Sequence, residues 1–470
     1  MKWHIKGNPF DVQRTALERS EGRAAYAWFM EQGLGKTPVA LNAFEDLAQQ
    51  GKVTDMVVIA PNSLKGNWED EARKWESSAR IQIWDSPARW NQNSGADVHI
   101  FNYECCSMAG GDVIENLLET RKCLLVLDES QRIKNPNSTV TRRVLGHFAK
   151  YARYRRALSG TPMTNTVLDF WSQLRFAGAL SGSNPIVFKN RYGVSVAGFK
   201  GHKKLVGVKN EDELRDIING VAFRALKIDW AKDLPDKLYR EPMRLELPGE
   251  LRAHYQTMLE MFIVMLDDDR AVLTDAVAGQ YLKLQQISSG FIYDGDNVHT
   301  LMPMHQLPKF KALMDVIEAN GNNSKTLVFA HFRPTCQKLL AAIEQETGEP
   351  PAWIVGGMRT EDVRAQKDAF NSDTGPRVMV LQLSAGKEGH TLLGGPSVPC
   401  HTSCYFENSF NLGDRLQSED RNHRYGQKNP VLYVDFTSSP VETHVIRAYQ
   451  KKKKLVEYLI DNKEYLTKGG

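Results

Sequence analysis

AAYAWFMEQGLGKTPVALNAFEDLAQQ, residues Ala24 to Gln50, carries an apolar run into a turn with two glycines and on into a segment where Val39, Leu41, Phe44 and Leu47 recur at roughly helical spacing. Strand, turn, helix is the local reading. Gly33 and Gly35, on either side of Leu34, let backbone N–H groups approach a phosphate, Lys36 meets the β/γ charge, and Thr37 offers a hydroxyl to Mg²⁺. The strict phosphate-loop pattern wants a further glycine where Met30 stands. Taken alone, the segment also reads as a plain glycine turn at a helix start.

The segments that follow keep the same rhythm. MVVIA (56–60) runs into PNSLKGNW, and VHIFNY (98–103) is a second apolar run; each reads as a buried parallel strand ending in a polar loop. CLLVLDES (123–130) then places Asp128 and Glu129 at the carboxyl end of an apolar strand, the edge where open α/β sheets bind ligands. Two adjacent acids there suit a nucleotide hydrolase: Asp128 for the hydrated Mg²⁺, Glu129 for the attacking water. RALSGTPMTN (156–165) supplies a further strand end, with Ser159 and Thr161 as hydroxyls suited to sensing a γ-phosphate.

Composition narrows the function classes. The chain has 470 residues, 41% hydrophobic and 25% charged, which predicts more than one packed unit of ordinary globular character. No apolar run approaches the roughly 20 residues that span a bilayer, and MKWHIKGNPF lacks the apolar core of a signal peptide. The expectation is an intracellular protein without a membrane partner. Six cysteines show no framework spacing, and Cys400, His401 and Cys404 have no second pair at zinc-type spacing. A net charge of +4 means that any nucleic-acid site is a local stripe and not a whole-chain field.

Beyond Thr166 the pattern changes to helical period with charged faces, in FWSQLRFAGAL (170–180), EDELRDIINGVAFRALKIDW (211–230) and ELRAHYQTMLEMFIVMLDD (250–268). LPDKLYREPMRLELP (234–248), with prolines near both ends, reads as an extended linker. From Lys309 helices alternate again with apolar runs: KTLVFA (325–330), AWIV (352–355), VMVLQL (378–383), SCYFE (403–407) and VLYVDF (431–436). A second doubly wound parallel sheet is expected, without a phosphate loop of its own. It carries QSEDRNHRYGQ (417–427), where Arg421 and Arg424, three apart, share a face if the segment is helical. A guanidinium forks onto phosphate oxygens and keeps its charge, which suits a transferred phosphoryl.

The ordered set GLGKT, APNSLKGNW, FNYE, DESQRIKNP, SGTPMTN, LVFAHF, LSAGKEGHTL and QSEDRNHRYGQ resembles the Swi/Snf family of superfamily-two DNA translocases, over about residues 8 to 460. The resemblance is closest to compact members, the annealing-helicase branch included. It implies two RecA-like lobes clasping ATP with Mg²⁺, a helical insertion between them, and double-stranded DNA held without sequence preference. Residues 1–175 would form the first lobe, 176–300 the helical protrusions and linker, and 301–470 the second lobe with C-terminal helices.

By the same resemblance, PFDVQRTAL (9–17) nominates Gln13 for the adenine edge, Gln417 joins the nucleotide contacts, and Arg421 and Arg424 become arginine fingers that arrive as the lobes close. DNA contacts fall on Asn62, Ser63, Lys65 and Lys134 in the first lobe and Arg333, Ser384 and Thr391 in the second; phosphate binders at strand ends track a backbone without reading bases. Two departures stand out. Gln131 replaces the usual histidine after the acidic pair, and Lys387-Glu388 interrupt the small residues of a later motif. Lys451 to Lys454 lie in an amphipathic segment, VIRAYQKKKKLVEYLI, read as a solvated or DNA-facing helix.

The function expected is an ATP-dependent double-stranded-DNA translocase, against two rivals: a strand-separating helicase and a nucleotide-switched clamp that hydrolyses little. The expected setting is the cytoplasm of a bacterium or of a virus-infected cell, or the nucleus if the source is eukaryotic.

Overall fold

The computed structural model of the chain describes residues 2–84, 95–197, 203–267, 274–385 and 391–460. It divides into two units, the first built from Met1–Ala197, Lys203–Lys232 and the chain from Lys452, the second from Asp233–Lys451.

In the first unit the strands are β1 (Ala25–Met30), β2 (Asp55–Ala60), β3 (Ile81–Ile83), β4 (Val98–Asn102), β5 (Cys123–Leu127), β6 (Tyr154–Leu158) and, beyond a small β7–β8 hairpin (Gly193–Ala197 and Lys203–Val208), β9 (Ala222–Ala225). They form one sheet in the order β3-β4-β2-β5-β6-β1-β9, with every pairing parallel. The central strands are buried on both faces, which is why they read as unbroken apolar runs and not as alternations. Helices α1 (Asp11–Ser20), α2 (Lys36–Gln49) and α3 (Lys65–Lys74) turn Leu17, Leu41, Phe44 and Trp68 into a core with Trp28, Val58 and Val126.

The second unit repeats the plan. Its strands are β10 (Lys237–Tyr239), β11 (Met243–Arg244), the antiparallel hairpin β12–β13 (Phe291–Asp294 and Asn297–Thr300), β14 (Lys325–Ala330), β15 (Ala352–Ile354), β16 (Val378–Gln382), β17 (Cys400–Tyr405) and β18 (Val431–Thr437). The parallel sheet runs β10-β18-β17-β14-β16-β15, with β11 also on β18. Two doubly wound α/β units follow.

The middle of the chain differs from its helical reading. Residues 211–230 are helical only to Val221; β9 follows, then a short helix, Lys227–Trp230. A free edge of β1 outweighs the local periodicity, because pairing there satisfies backbone groups that a continued helix would leave open. The extended segment 234–248 likewise gives β10 and β11 to the second sheet. Residues 176–300 are thus shared between the two units at Lys232/Asp233.

Candidate functional site

β1 delivers the chain to a loop whose two glycines take left-handed backbone, Gly33 at φ +88° and Gly35 at φ +79°. Gly35 caps α2, so the unpaired N–H groups of the first helical turn open onto this loop. Lys36 bends its ammonium back to the carbonyl of Met30 at 3.0 Å, and Thr37 sits half-buried in the same turn. A Cβ on Gly35 would fall 2.1 Å from Nε2 of Gln13, so the glutamine amide occupies the space that glycine leaves. Gln13 is fully buried; its Oε1 accepts the N–H of Phe10 at 2.9 Å, and its Nε2 has no partner among the described residues. A dry, unpaired amide donor beside a phosphate loop is costly unless a ligand acceptor meets it, which fits the edge of a nucleobase.

The acids stand at the end of β5. Asp128 Oδ2 accepts the indole N–H of Trp68 at 3.0 Å, and its Oδ1 accepts the N–H of Glu129 at 3.0 Å. The Asp128 carbonyl takes the Tyr103 hydroxyl at 2.8 Å. Burial, then the neighbouring Glu129 charge, push the Asp128 carboxyl up to about 6, while Lys36 and Trp68 pull the other way. A cation held by Thr37 and Asp128 would relieve that burden, and oxygen donors of this kind suit Mg²⁺.

Glu129 holds a left-handed backbone, φ +50°, unusual for a residue with a side chain. Its Oε2 accepts from Gln131 Nε2 at 2.7 Å; Gln131 Oε1 accepts from Ser159 Oγ at 2.6 Å; Ser159 Oγ accepts the N–H of Thr161 at 3.1 Å. An unbroken line of hydrogen bonds therefore joins the acidic pair to the Ser159–Thr161 loop. The Thr161 hydroxyl is buried without a partner among the described residues, a second open valence at the same edge. These open groups and the glycine cradle fit a nucleoside triphosphate.

In the second unit the helix Leu412–Glu419 ends before either arginine, so Arg421 and Arg424 lie in turns and the shared helical face is not formed. Gly426, at φ +100°, belongs to the same turning segment. Arg421 is fully buried, donating Nε to the carbonyl of Gln417 at 2.8 Å, while its own carbonyl accepts from Leu392 N–H. Arg424 is half-buried, with Nη1 on the Thr391 hydroxyl at 2.9 Å. Within the helix Leu412–Glu419, Arg415 is sealed in, bonded to Asp435, Asn408 and Glu419 and stacked 3.4 Å above the Tyr405 ring. That network fixes the helix that leads into the arginine segment.

The residues nominated for DNA divide by exposure. Asn62 is exposed and bonded to Asn102, the Ser63 hydroxyl is buried without a partner among the described residues, and Lys65 is buried at the start of α3. Lys134 donates to Thr164 Oγ1 at 2.8 Å. Arg333 is exposed in the first turn of the helix Arg333–Thr347, whose N-terminus Glu407 caps through the N–H groups of His331 and Phe332. Ser384 and Thr391 are exposed. Lys387 and Glu388 lie outside the described residues.

Trp68 and Tyr103 stand inside the motifs APNSLKGNW and FNYE, and Gln173 inside FWSQLRFAGAL, but the sequence assigns none of the three a role. Gln173 ties Ser130 Oγ, at 2.8 Å, to the carbonyl of Pro162, at 2.6 Å. Trp68 reads only as the end of PNSLKGNW, the polar loop after β2.

A family model described as the SNF2-related domain matches residues 28–290, more than half of the chain. The chain belongs to the SNF2-related family. Among curated relatives, this SNF2-related chain is 23% identical over 461 residues to the putative ATP-dependent helicase/translocase YwqA of Bacillus subtilis, covering 93% of this chain and 46% of YwqA. It is 24% identical over 422 residues to the DNA annealing helicase and endonuclease ZRANB3 of Bos taurus, covering 88% of this chain and 36% of that protein. The chain thus spans less than half the length of either. The SWI2/SNF2 ATPase core of Sulfolobus solfataricus in complex with double-stranded DNA matches with a TM-score of 0.43 and 22% identity, over 98% of this chain and 95% of that one.

Proposed function

We propose that this chain is a DNA-dependent ATPase of helicase superfamily two that moves along double-stranded DNA. The observation that carries the reading is the line from Glu129 through Gln131 to Ser159, because it joins the residue suited to activating water to a loop suited to sensing phosphate. Bound Mg²⁺ would supply charge neutralisation at the β- and γ-oxygens. Lys36 would leave the Met30 carbonyl for the phosphates, Gln13 would offer its amide N–H to the base, and Thr37 with Asp128 would hold the metal. Glu129 takes the proton of the attacking water. Arg424 is the arginine that the family resemblance nominates for fixed positive charge at a phosphoryl. Asn62, Arg333, Ser384 and Thr391 offer exposed polar groups to a sugar-phosphate backbone.

The test is ATP turnover with and without duplex DNA, paired with triplex displacement and a forked-duplex substrate. Duplex-stimulated turnover with triplex displacement and no fork opening is expected. Fork opening would make the chain a strand-separating helicase, and DNA binding without stimulated turnover would make it a clamp.

A further inference from the structure

The phosphate loop is braced by residues almost two hundred positions downstream. β9 lies beside β1 in the register Ala27↔Ala222, Trp28↔Phe223, Phe29↔Arg224, Met30↔Ala225, and the N–H of Glu31 extends the ladder to the Ala225 carbonyl at 3.0 Å. The pairing thereby runs past the end of β1 into the loop.

Arg224 and Lys227 use that position. Arg224 Nη1 donates to the carbonyl of Phe29 at 3.2 Å and to that of Gly160 at 3.1 Å. Gly160 separates Ser159 from Thr161, and a Cβ on it would sit 3.3 Å from both the backbone nitrogen and Cγ of Gln32. One guanidinium therefore ties the end of β1 to the phosphate-sensing loop at the point where that loop abuts the phosphate loop. Lys227 donates its backbone N–H to the Glu31 carboxylate at 2.6 Å. Its side chain, only 6% exposed, lays Cε 3.7 Å from where a Cβ on Gly33 would be.

We propose that Arg224 and Lys227 are positioning residues of the nucleotide site, which hold the phosphate loop and the Ser159–Thr161 loop at a fixed separation. Both bonds leave the single Nη1, whose two N–H bonds are fixed in the guanidinium plane, so the two carbonyls are held at a set angle in a way that a freely rotating ammonium does not hold them. Their effect on turnover rests on the ATPase reading above; their effect on the loops does not.

The experiment measures amide hydrogen exchange at residues 31–37 and 159–164 in the full chain, together with ATP turnover, for Arg224→Gln, Arg224→Lys, Lys227→Met and Lys227→Ala. Arg224→Gln should speed exchange in both loops together and lower kcat by roughly tenfold to a hundredfold, the cost expected of an ångström-scale misplacement. Arg224→Lys, the variant kept for the case that Gln unfolds the unit, should loosen both loops to a smaller degree. Lys227→Met keeps the stem over Gly33 and should exchange as the parent does, whereas Lys227→Ala should loosen the phosphate loop alone. Parental exchange in both loops of the folded Arg224 variants overturns the proposal, whatever their activity. A parent that fails to hydrolyse ATP sinks the ATPase reading and leaves the exchange result to decide the bracing.

Discussion

Trp68 donates its indole N–H to Oδ2 of Asp128 at 3.0 Å, with both side chains buried. The bond stabilises the ionised carboxylate, and an indole cannot move far inside a packed core. Trp68→Phe keeps most of the volume and removes the donor. A hydrogen bond to a charged group contributes about 1.5–3 kcal/mol, so the Mg²⁺ concentration for half-maximal ATP turnover should rise about tenfold or more. Titrating Mg²⁺ at saturating ATP checks this; an unchanged requirement would remove Asp128 from the metal.

Lys36 has a hydrogen bond to the Met30 carbonyl but is not part of the core. Lys36→Ala should abolish ATP turnover and leave the melting temperature close to the parent's. Parental turnover in this variant would displace the phosphate site from Gly33–Thr37.

Glu129 contributes a proton acceptor and not a nucleotide contact in this reading. Glu129→Gln should bind ATP with parental affinity while turnover falls by about 10² to 10⁴, the range for loss of a general base. An equal loss of ATP affinity would mark Glu129 as a ligand instead.

Gln131 both donates to Glu129 and accepts from Ser159, and an amide does this at every pH. A neutral imidazole can also do both, but its protonated form donates from both nitrogens and cannot accept from Ser159. Gln131→His should therefore work at high pH and lose activity as the pH falls through the histidine value, near 6.5 in an unperturbed group. Its pH–rate profile should carry an acid limb at higher pH than the parent's; coincident profiles would show that the contact with Ser159 carries no coupling.

The two arginines should separate by assay. Arg424 is partly accessible and holds one exposed hydroxyl, so Arg424→Ala should spare stability and lower DNA-stimulated turnover by about 10² or more, without rescue by lysine. Arg421 is fully buried, so Arg421→Ala should cost about 3 kcal/mol, or roughly 6–12 °C in a unit of this size. Thermal melts beside steady-state rates test both; normal DNA-stimulated hydrolysis in Arg424→Ala would favour the clamp.

Much of this architecture was legible because a parallel strand buried on both faces leaves a plain mark: MVVIA, CLLVL and KTLVFA could hardly be anything else. Asp128, Glu129 and Lys36 were legible for a related reason, since chemistry at a strand's carboxyl end follows directly on that mark. β9 was hidden because four residues between two helical stretches carry no period of their own; only the open edge of β1 makes them a strand. The shape of the arginine segment was left conditional on a helix because the sequence does not say where a helix stops, and this one ends at Glu419 with Asp420 as its cap. Trp68 was hidden because a loop reading of PNSLKGNW reports neither burial nor a hydrogen bond.

The placement of β9 has a consequence for synthesis. A chain emerging from the ribosome displays its phosphate loop, both acids and the Ser159–Thr161 loop long before Ala222–Ala225 can pair with β1, so the nascent first sheet must wait with one apolar edge open. A fragment ending near residue 180 would hold every nucleotide motif of that unit and still lack the strand that closes it, which makes it a substrate for chaperones before it is a candidate for catalysis.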